Sequence, residues 1–188
     1  MPDLSFTVGA GQIWHLHGPN GAGKTSLLRI LVGLALPSAG NVLFDGIAIQ
    51  EHSDYSAQVL YLGHKAGLNP HLSAIENLHY WQQLQVASEN TALYPLLEHL
   101  GLVGLEDVPV GLLSAGQQRR VELARLWLKS AKLWILDEPF TALDTVAIKV
   151  IQDKFEQHVE AGGSILLTSH QQLSLSLKVH DLRLEYQW

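Results

Sequence analysis

The chain has 188 residues, of which 47% are hydrophobic and 16% charged, so it can form a domain with a substantial core and is not a disordered protein. Its formal net charge of -6 argues against a general nucleic-acid-binding surface, which would need a basic face. The absence of cysteine excludes disulfides, thiolate metal sites and a cysteine nucleophile.

The first third of the chain alternates between strand and helix patterns. Residues 4–8 and Ile13–His17 alternate as strands do, with a glycine-containing turn between them. A helical periodicity follows over residues 25–34, ending near a glycine and before a proline. Short strands are predicted over residues 41–44 and Val59–Leu62.

The remainder of the chain is helical first and then alternates again. Helical patterns dominate residues 72–128, with breaks at prolines and glycines. The apolar runs Leu133–Leu136 and 165–168 predict buried strands, and the amphipathic pattern over 146–159 predicts a helix between them. Strands that alternate with helices at both ends predict a parallel sheet with helices on its faces.

These patterns predict a single domain with a helical insertion. The core comprises about residues 1–63 and 129–188, and the helical subdomain comprises about residues 64–128. No apolar run approaches the roughly 18 residues that span a bilayer, and the start of the chain lacks the order of a secretory signal. We therefore expect any membrane-spanning segment to come from a partner subunit.

A phosphate-binding loop is predicted after the strand that ends at residue 17. The segment GPNGAGKT matches G-x-x-x-x-G-K-[ST] and is followed by a predicted helix. Its glycines let backbone N–H groups surround phosphate oxygens, Lys24 offers a positive charge to the β- and γ-phosphates, and the Thr25 hydroxyl can bind Mg²⁺. The candidate nucleotide-binding residues are Gly18, Pro19, Asn20, Gly21, Ala22, Gly23, Lys24, Thr25 and Ser26.

A second acidic site follows the apolar strand at 133–136, where Asp137 and Glu138 are adjacent. A buried strand should not end in paired carboxylates unless they meet a cation or a proton. Taken alone, the two acids before Pro139 are better explained as a turn or a helix cap. With the phosphate loop present, we interpret Asp137 as a Mg²⁺ ligand and Glu138 as the group that orients and polarises the attacking water.

A third motif, Leu113-Ser114-Ala115-Gly116-Gln117, resembles the signature sequence of ABC (ATP-binding cassette) ATPases, usually L-S-G-G-Q. The resemblance implies an α/β fold: a P-loop NTPase with an ABC-type nucleotide-binding domain, in which a helical subdomain is inserted in a RecA-like core. It implies ATP and Mg²⁺ as cofactors. It also implies that a second copy of the chain completes an ATP-sandwich dimer, in which Ser114, Gly116 and Gln117 bind the opposing nucleotide.

Three more positions extend the resemblance to this family. Asp144 ends a segment similar to the D-loop at the dimer seam, which implies a contact with nucleotide. His170 follows a strand and resembles the switch histidine, which implies that it binds the γ-phosphate and helps to position Glu138. His64 lies where most ABC ATPases carry the Q-loop glutamine, and a neutral histidine can do the work of that amide. The resemblance thus implies three catalytic residues, Glu138, His170 and His64.

The sequence LWILDEPFTALD over residues 133–144, together with His64, resembles the CcmA family, the ATP-binding subunits of the haem exporter of cytochrome c biogenesis. That resemblance implies a haem-transporting ATPase at the cytoplasmic face of the bacterial inner membrane. It implies integral membrane partners, a CcmB-like subunit together with CcmC. Residues 67–80 would form much of the docking surface for the membrane subunit.

Other functions stay open on the sequence: the ATP-binding subunit of another ABC transporter, a soluble ABC ATPase acting on DNA or ribosomes, or an inactive nucleotide-binding module. The spacing between Lys24 and Asp137 leaves room only for a compact helical insertion, which disfavours the repair type of ABC ATPase. The family's adenine-stacking aromatic residue would lie upstream of Leu4, so we expect weaker ATP affinity than in longer relatives, with Phe6 in the core. The scattered histidines predict no direct haem ligation.

Overall fold

The computed structural model describes residues 4–84, 91–171 and 173–185. The strands in these ranges are β1 (Ile13–His17), β2 (Leu43–Phe44), β3 (Ile47–Ala48), β4 (Val59–Leu62), β5 (Leu133–Leu136), β6 (Ser164–Leu167) and β7 (Val179–Arg183). Five of them form a parallel sheet in the order β4-β5-β6-β1-β7, while β2 and β3 form a separate antiparallel pair.

The α-helices in the described ranges are α1 (Lys24–Leu31), α2 (Tyr55–Gln58), α3 (Ala74–Gln83), α4 (Leu93–His99), α5 (Ala115–Leu123) and α6 (Thr145–Glu160). Short 3₁₀ helices cover Val110–Leu112 and Ala124–Trp127. Helices α3, α4 and α5 come between β4 and β5, which are neighbours in the sheet, so they form an insertion between two adjacent strands. None of the helices in the described part of the chain has the length and hydropathy to cross a membrane.

The central strands are apolar on both faces because helices cover both sides of the sheet. Ile135 and Leu166 face a cluster that includes Leu28 of α1. Leu136 and Leu167 face the larger cluster, to which helices α3 to α6 contribute. This pattern confirms the α/β class predicted from the alternating strands and helices.

The carboxyl ends of β1, β4, β5 and β6 meet at one edge of the sheet, because these strands are parallel. The phosphate loop follows β1 there, and Asp137 and Glu138 follow β5. The segment with His64 follows β4, and the segment with His170 follows β6. Ligands of open parallel sheets bind at such an edge, so the topology brings the predicted site residues into one region.

Two of the predicted elements differ from the structure. The predicted strand over residues 4–8 is wrong, because no strand of the described chain pairs with it; instead Leu4 and Phe6 pack against the apolar cluster around Leu28. Helix α1 ends three residues earlier than predicted. Gly33 takes a left-handed φ of 77°, and its N–H donates to the carbonyl of Ile30, which closes the helix.

Candidate active site

The phosphate loop is shaped by glycine at two critical points. Gly23 precedes α1 with a left-handed φ of 92°, which a residue with a side chain adopts only with strain. A Cβ on Gly18 would lie 2.8 Å from the carbonyl oxygen of Leu184, so a larger residue there would push the loop away from the end of β7. The loop therefore passes from β1 to the N-terminus of α1 in a narrow space.

The phosphate loop has two sources of positive charge, the Lys24 ammonium and the N-terminus of α1. The Nζ of Lys24 donates to the carbonyl of Gly18 at 2.7 Å and to that of Pro19 at 3.1 Å, which places the ammonium over the loop backbone. The amino end of α1 adds the free N–H groups and partial positive charge of a helix terminus. Several other predicted loop residues are exposed to solvent, namely Asn20, Gly21, Thr25 and Ser26.

A chain of hydrogen bonds joins the phosphate loop to the acidic pair. The Thr25 hydroxyl donates to Asp137 Oδ2 at 2.8 Å, and the Thr168 hydroxyl donates to Asp137 Oδ1 at 2.8 Å. The backbone N–H of Glu138 donates to the Thr168 hydroxyl at 2.9 Å. Asp137 is only 3% exposed, so both of its oxygens are held by neighbouring threonines in a buried position.

Glu138 occupies an unusual backbone conformation. Its φ is 51°, in the left-handed region, which costs a residue with a side chain about 1–3 kcal/mol. The backbone N–H of His170 donates to Glu138 Oε2 at 3.1 Å, and the imidazole Nε2 of His170 lies 3.5 Å from Glu138 Oε1. The structure thus brings together Glu138 and His170, two of the three residues predicted to be catalytic.

Arg119 of α5 holds the backbone around the acidic pair. Its Nη2 donates to the carbonyls of Asp137 and Glu138, each at 2.9 Å, and its Nε donates to that of Pro139 at 3.2 Å. Its Nη1 donates to the carbonyl of Gly63 at 3.2 Å and forms a buried ion pair with Glu122. The signature helix is therefore bound directly to the ends of β4 and β5.

Two of the signature residues, Ser114 and Gln117, cap the N-terminus of α5 within their own chain. The Ser114 hydroxyl accepts from the N–H of Gln117 at 3.3 Å, and the Gln117 side chain accepts from the N–H of Ser114 at 2.8 Å. This reciprocal pair is a capping box. Gly116 has no room for a side chain, since a Cβ would lie 2.5 Å from the carbonyl oxygen of Ala142.

The predicted D-loop aspartate is engaged within the chain. The Asp144 carboxylate accepts from the N–H of Ala147 at 2.8 Å and so caps the N-terminus of α6. It also forms an ion pair with Arg120 of α5. Within the described ranges, the structure shows no hydrogen bond from Asp144 or the signature residues to the phosphate loop of the same chain.

His64 lies on an exposed segment after β4, and the structure does not bring its side chain into the hydrogen-bonded group around Glu138. Arg125 holds the following residues, since it donates to the carbonyl of Ala66 at 3.2 Å and to that of Gly67 at 2.9 Å. The Arg125 guanidinium also lies over the Trp81 ring of α3, 5.6 Å from its centroid. The segment after His64 is therefore tied to two helices of the insertion.

Several apolar side chains of the predicted docking segment, residues 67–80, belong to the core. Leu78 is fully buried, and Leu68 and Ile75 pack against the larger apolar cluster. Ile75 and Leu78 lie three residues apart on the inner face of α3, a spacing that a buried helix face shares with a contact surface. Among the large hydrophobic side chains of this segment, Tyr80 is the exposed one, at 60%.

Two residues of this site were not predicted from the sequence. Thr168 directly follows the apolar strand β6, and its hydroxyl is fully buried between Asp137 and Glu138. A polar residue at the end of a buried strand, directly before the switch-like histidine, was the available signal. Arg119 lies three residues before Glu122 on a helix whose inner face is apolar, and this buried ion-pair spacing could have indicated its position.

The geometry is that of a nucleotide-binding α/β protein with a phosphate loop, an acidic pair and a signature helix. The family model described as ABC transporter matches residues 1–141. The cytochrome c biogenesis ATP-binding export protein CcmA of Idiomarina loihiensis is 55% identical over 98% of this chain and 85% of that protein.

Solved structures agree with this assignment. An ATP-binding subunit of an ABC transporter has a TM-score of 0.80 and 28% identity, covering 89% of this chain and 72% of that one. A dimeric ATP-binding cassette in a post-hydrolysis state with ADP and Pi has a TM-score of 0.76 at 23% identity, covering 88% of this chain and 78% of that one, and shows the shared fold.

These matches define the class of protein as an ATP-binding cassette of the P-loop type. The chain belongs to the ABC transporter family, and within it to the group of CcmA ATP-binding proteins.

Proposed function

We propose that this chain is the ATP-hydrolysing subunit of a haem exporter complex that serves cytochrome c biogenesis. The observation that carries the proposal is the continuous hydrogen-bonded path from the phosphate loop, through Thr25, Asp137 and Thr168, to Glu138 and His170. It joins the predicted phosphate site to a carboxylate positioned to act on water. The printed name of the relative, a cytochrome c biogenesis ATP-binding export protein, supports the assignment to this pathway.

Thr25 and Asp137 fit a Mg²⁺ ion. Their oxygens are 2.8 Å apart, and hydroxyl and carboxylate oxygens are the hard donors that Mg²⁺ prefers. When bound, the ion would neutralise charge on the β- and γ-phosphates. The Lys24 ammonium and the N-terminus of α1 bind the same phosphates from the side of the loop.

Glu138 acts as the group that orients and deprotonates the attacking water. Its backbone N–H is held by Thr168 and its carbonyl by Arg119, so the carboxylate projects from a restrained position. His170 lies against that carboxylate and binds the γ-phosphate, which aligns the water with the phosphorus atom. A positioned base of this kind contributes a rate factor of about 10²–10⁴.

The active unit is a dimer of two copies with ATP between them. Ser114 and Gln117 form the capping box at the amino end of α5, and in the dimer this helix terminus would bind the nucleotide of the other copy. Asp144 lies beside them at the seam, tied to Arg120.

The membrane partners in this proposal are a CcmB-like subunit together with CcmC, at the cytoplasmic face of the bacterial inner membrane. His64 reports the state of the γ-phosphate to them through the segment that Arg125 holds by the carbonyls of Ala66 and Gly67. We expect His64→Ala to leave ATP hydrolysis measurable while it uncouples hydrolysis from transport. Preserved coupling in that variant would exclude this role for His64.

The test is Mg²⁺-dependent ATP hydrolysis with and without the co-expressed membrane subunits. Glu138→Gln should lower the turnover number by about 10²–10⁴ without abolishing ATP binding. Glu160→Gln, an exposed change at the end of α6, is the matched control and should keep wild-type activity. Equal activity in the Glu138 variant and the control would refute the catalytic assignment.

A complementation experiment then tests the role in cytochrome c biogenesis separately from ATP hydrolysis. In bacteria lacking their own CcmA, the wild-type chain should restore cytochrome c formation and the Glu138→Gln variant should not. If hydrolysis depends on Glu138 but cytochrome c formation is not restored, the ATPase assignment stands and the export role is refuted.

The dimer has a separate test in sedimentation. The Glu138→Gln variant with ATP should form dimers, because the sandwich is no longer opened by hydrolysis, and adding Ser114→Arg should return it to monomers. Dimers that persist in the double variant would show an association that does not use the signature motif.

A further inference from the structure

Three potential metal ligands lie close together on the neighbouring strands β1 and β7, near the phosphate loop that follows β1. His15 and His17 are two residues apart on β1, so both imidazoles extend from the same face of the sheet. Asp181 of β7 is the direct register partner of His15. One ligand atom from each of the three side chains lies within 4.8 Å of the others.

We propose that His15, His17 and Asp181 bind one divalent transition-metal ion of the Zn²⁺ type. Two imidazole nitrogens and one carboxylate oxygen are a donor set that Zn²⁺ and its neighbours prefer, usually with water in the remaining position. The set differs from the oxygen pair of Thr25 and Asp137, which suits Mg²⁺. The two sites therefore select different ions.

The hydrogen bond of His15 prepares it as a ligand. Its Nε2 lies 3.0 Å from the carbonyl oxygen of Ser169, and a carbonyl only accepts, so Nε2 carries the proton and Nδ1 keeps its lone pair. Metal-binding histidines commonly donate their second nitrogen to such an outer partner.

The other two ligands are close together and open to solvent. His17 Nε2 donates to Asp181 Oδ1 at 2.7 Å, and the two side chains are 39% and 71% exposed. A nitrogen and an oxygen at this separation need only small movements to bind the same ion. The ion would replace the proton of the hydrogen bond between them. Their exposure gives the ion a route from solvent and leaves room for a bound water.

A histidine on the opposite face provides a matched control. His180 precedes Asp181 on β7, but its ring stacks on Trp14, with centroids 5.0 Å apart and planes inclined by 16°. Its side chain therefore belongs to the other side of the sheet. A change at His180 alters the histidine content of the same strand without altering the proposed ligand set.

The experiment is a titration of the full chain, freed of metals by chelation, with Zn²⁺ in calorimetry and with Co²⁺ in visible absorption. Excess Mg²⁺ is present throughout, so that the oxygen site is filled. The wild type and the His180→Gln variant should bind one ion with similar affinity. His17→Gln and Asp181→Asn should each weaken binding by at least about tenfold, since even the loss of an outer partner has an effect of that size.

Both ligand variants change exposed side chains, and unchanged melting temperatures without metal would show that they fold. Equal Zn²⁺ affinity in the wild type and both ligand variants would overturn the proposal, because an adventitious ion on scattered histidines binds all of them alike. An equal loss in His180→Gln would also overturn it, as would the absence of one-to-one binding to the wild type.

Discussion

Arg119 donates a hydrogen bond from Nη2 to the backbone carbonyl of Glu138 at 2.9 Å, and so joins the signature helix to the residue proposed to activate water, within one chain. The bond is partly buried and is one of five hydrogen bonds that the same guanidinium donates. A movement of α5 is therefore transmitted directly to the backbone that positions Glu138. This contact links the element proposed to bind the opposing nucleotide with the group proposed to activate water.

Arg119→Met should destabilise the chain and lower ATP hydrolysis. The change leaves Glu122 buried without its cation, and breaking a buried pair costs about 3–5 kcal/mol. Replacing both partners, as Arg119→Met with Glu122→Met, should recover most of the free energy of unfolding, measured in urea. Hydrolysis should stay low in both variants, because the carbonyl of Glu138 has lost its donor. Wild-type activity in the double variant would show that the ion pair alone mattered.

Thr168→Val should lower hydrolysis through the loss of one hydroxyl. The side chain keeps its shape, but the buried Asp137 loses a donor and the N–H of Glu138 loses its acceptor. Each unsatisfied buried group costs about 1–3 kcal/mol, so the free energy of unfolding should fall as well. Thr168→Ser retains the hydroxyl and should retain most of the activity. If Val and Ser variants hydrolyse ATP equally, the hydroxyl does not position Glu138.

The sequence was sufficient to predict four of the five strands of the parallel sheet and the candidate site residues that follow their carboxyl ends. Apolar strands and an unbroken helical pattern, as in β5 and α6, specify their own structure because packing and periodicity agree. Asp137 and Glu138 were placed correctly beside the phosphate loop because parallel strands end together.

Other features depend on contacts between distant segments. Residues 4–8 alternate in polarity like a strand but pair with no strand in the described chain. Alternation predicts which side chains would face the core, but it does not supply a neighbouring strand for the backbone to pair with. The edge strand β7 is mixed in polarity, and it is a strand because it pairs with β1. The inward orientation of Leu78 and the donors of Arg119 are likewise results of tertiary packing, which a local pattern does not contain.

Gly116→Ala should impair the chain even without a partner copy. The added Cβ would meet the carbonyl oxygen of Ala142 at 2.5 Å, and a backbone atom cannot move aside as a flexible side chain can. The clash opposes the gain in helix propensity of about 1 kcal/mol that alanine normally brings over glycine. Ala115→Gly at the neighbouring position is the control and should lose no more than about that propensity difference. The melting temperature of the monomer distinguishes them, and a Gly116→Ala variant as stable as the wild type would contradict the close contact.

His158 should make the chain less stable in mild acid. Its ring stacks on Trp134 with centroids 3.7 Å apart and planes inclined by 3°, and burial lowers its pKa to about 4 from the ordinary 6.5. Because the unfolded chain binds the proton more readily, this contribution to stability is present above pH 6.5 and is lost as the pH falls from 6.5 toward about 4. After allowance for the partial exposure of the ring, the loss should be about 1–2 kcal/mol.

The variant His158→Phe isolates this effect, because phenylalanine keeps a ring against Trp134 and does not titrate. Urea unfolding at pH values across that window should show a shallower loss of stability in this variant than in the wild type. His71→Gln, a change at an exposed histidine, should keep the full wild-type slope. Other buried groups such as His15 contribute equally to all three proteins, so the difference in slope belongs to His158. Parallel slopes in the wild type and His158→Phe would mean that the stacked imidazole takes up its proton as easily in the folded chain as in the unfolded one.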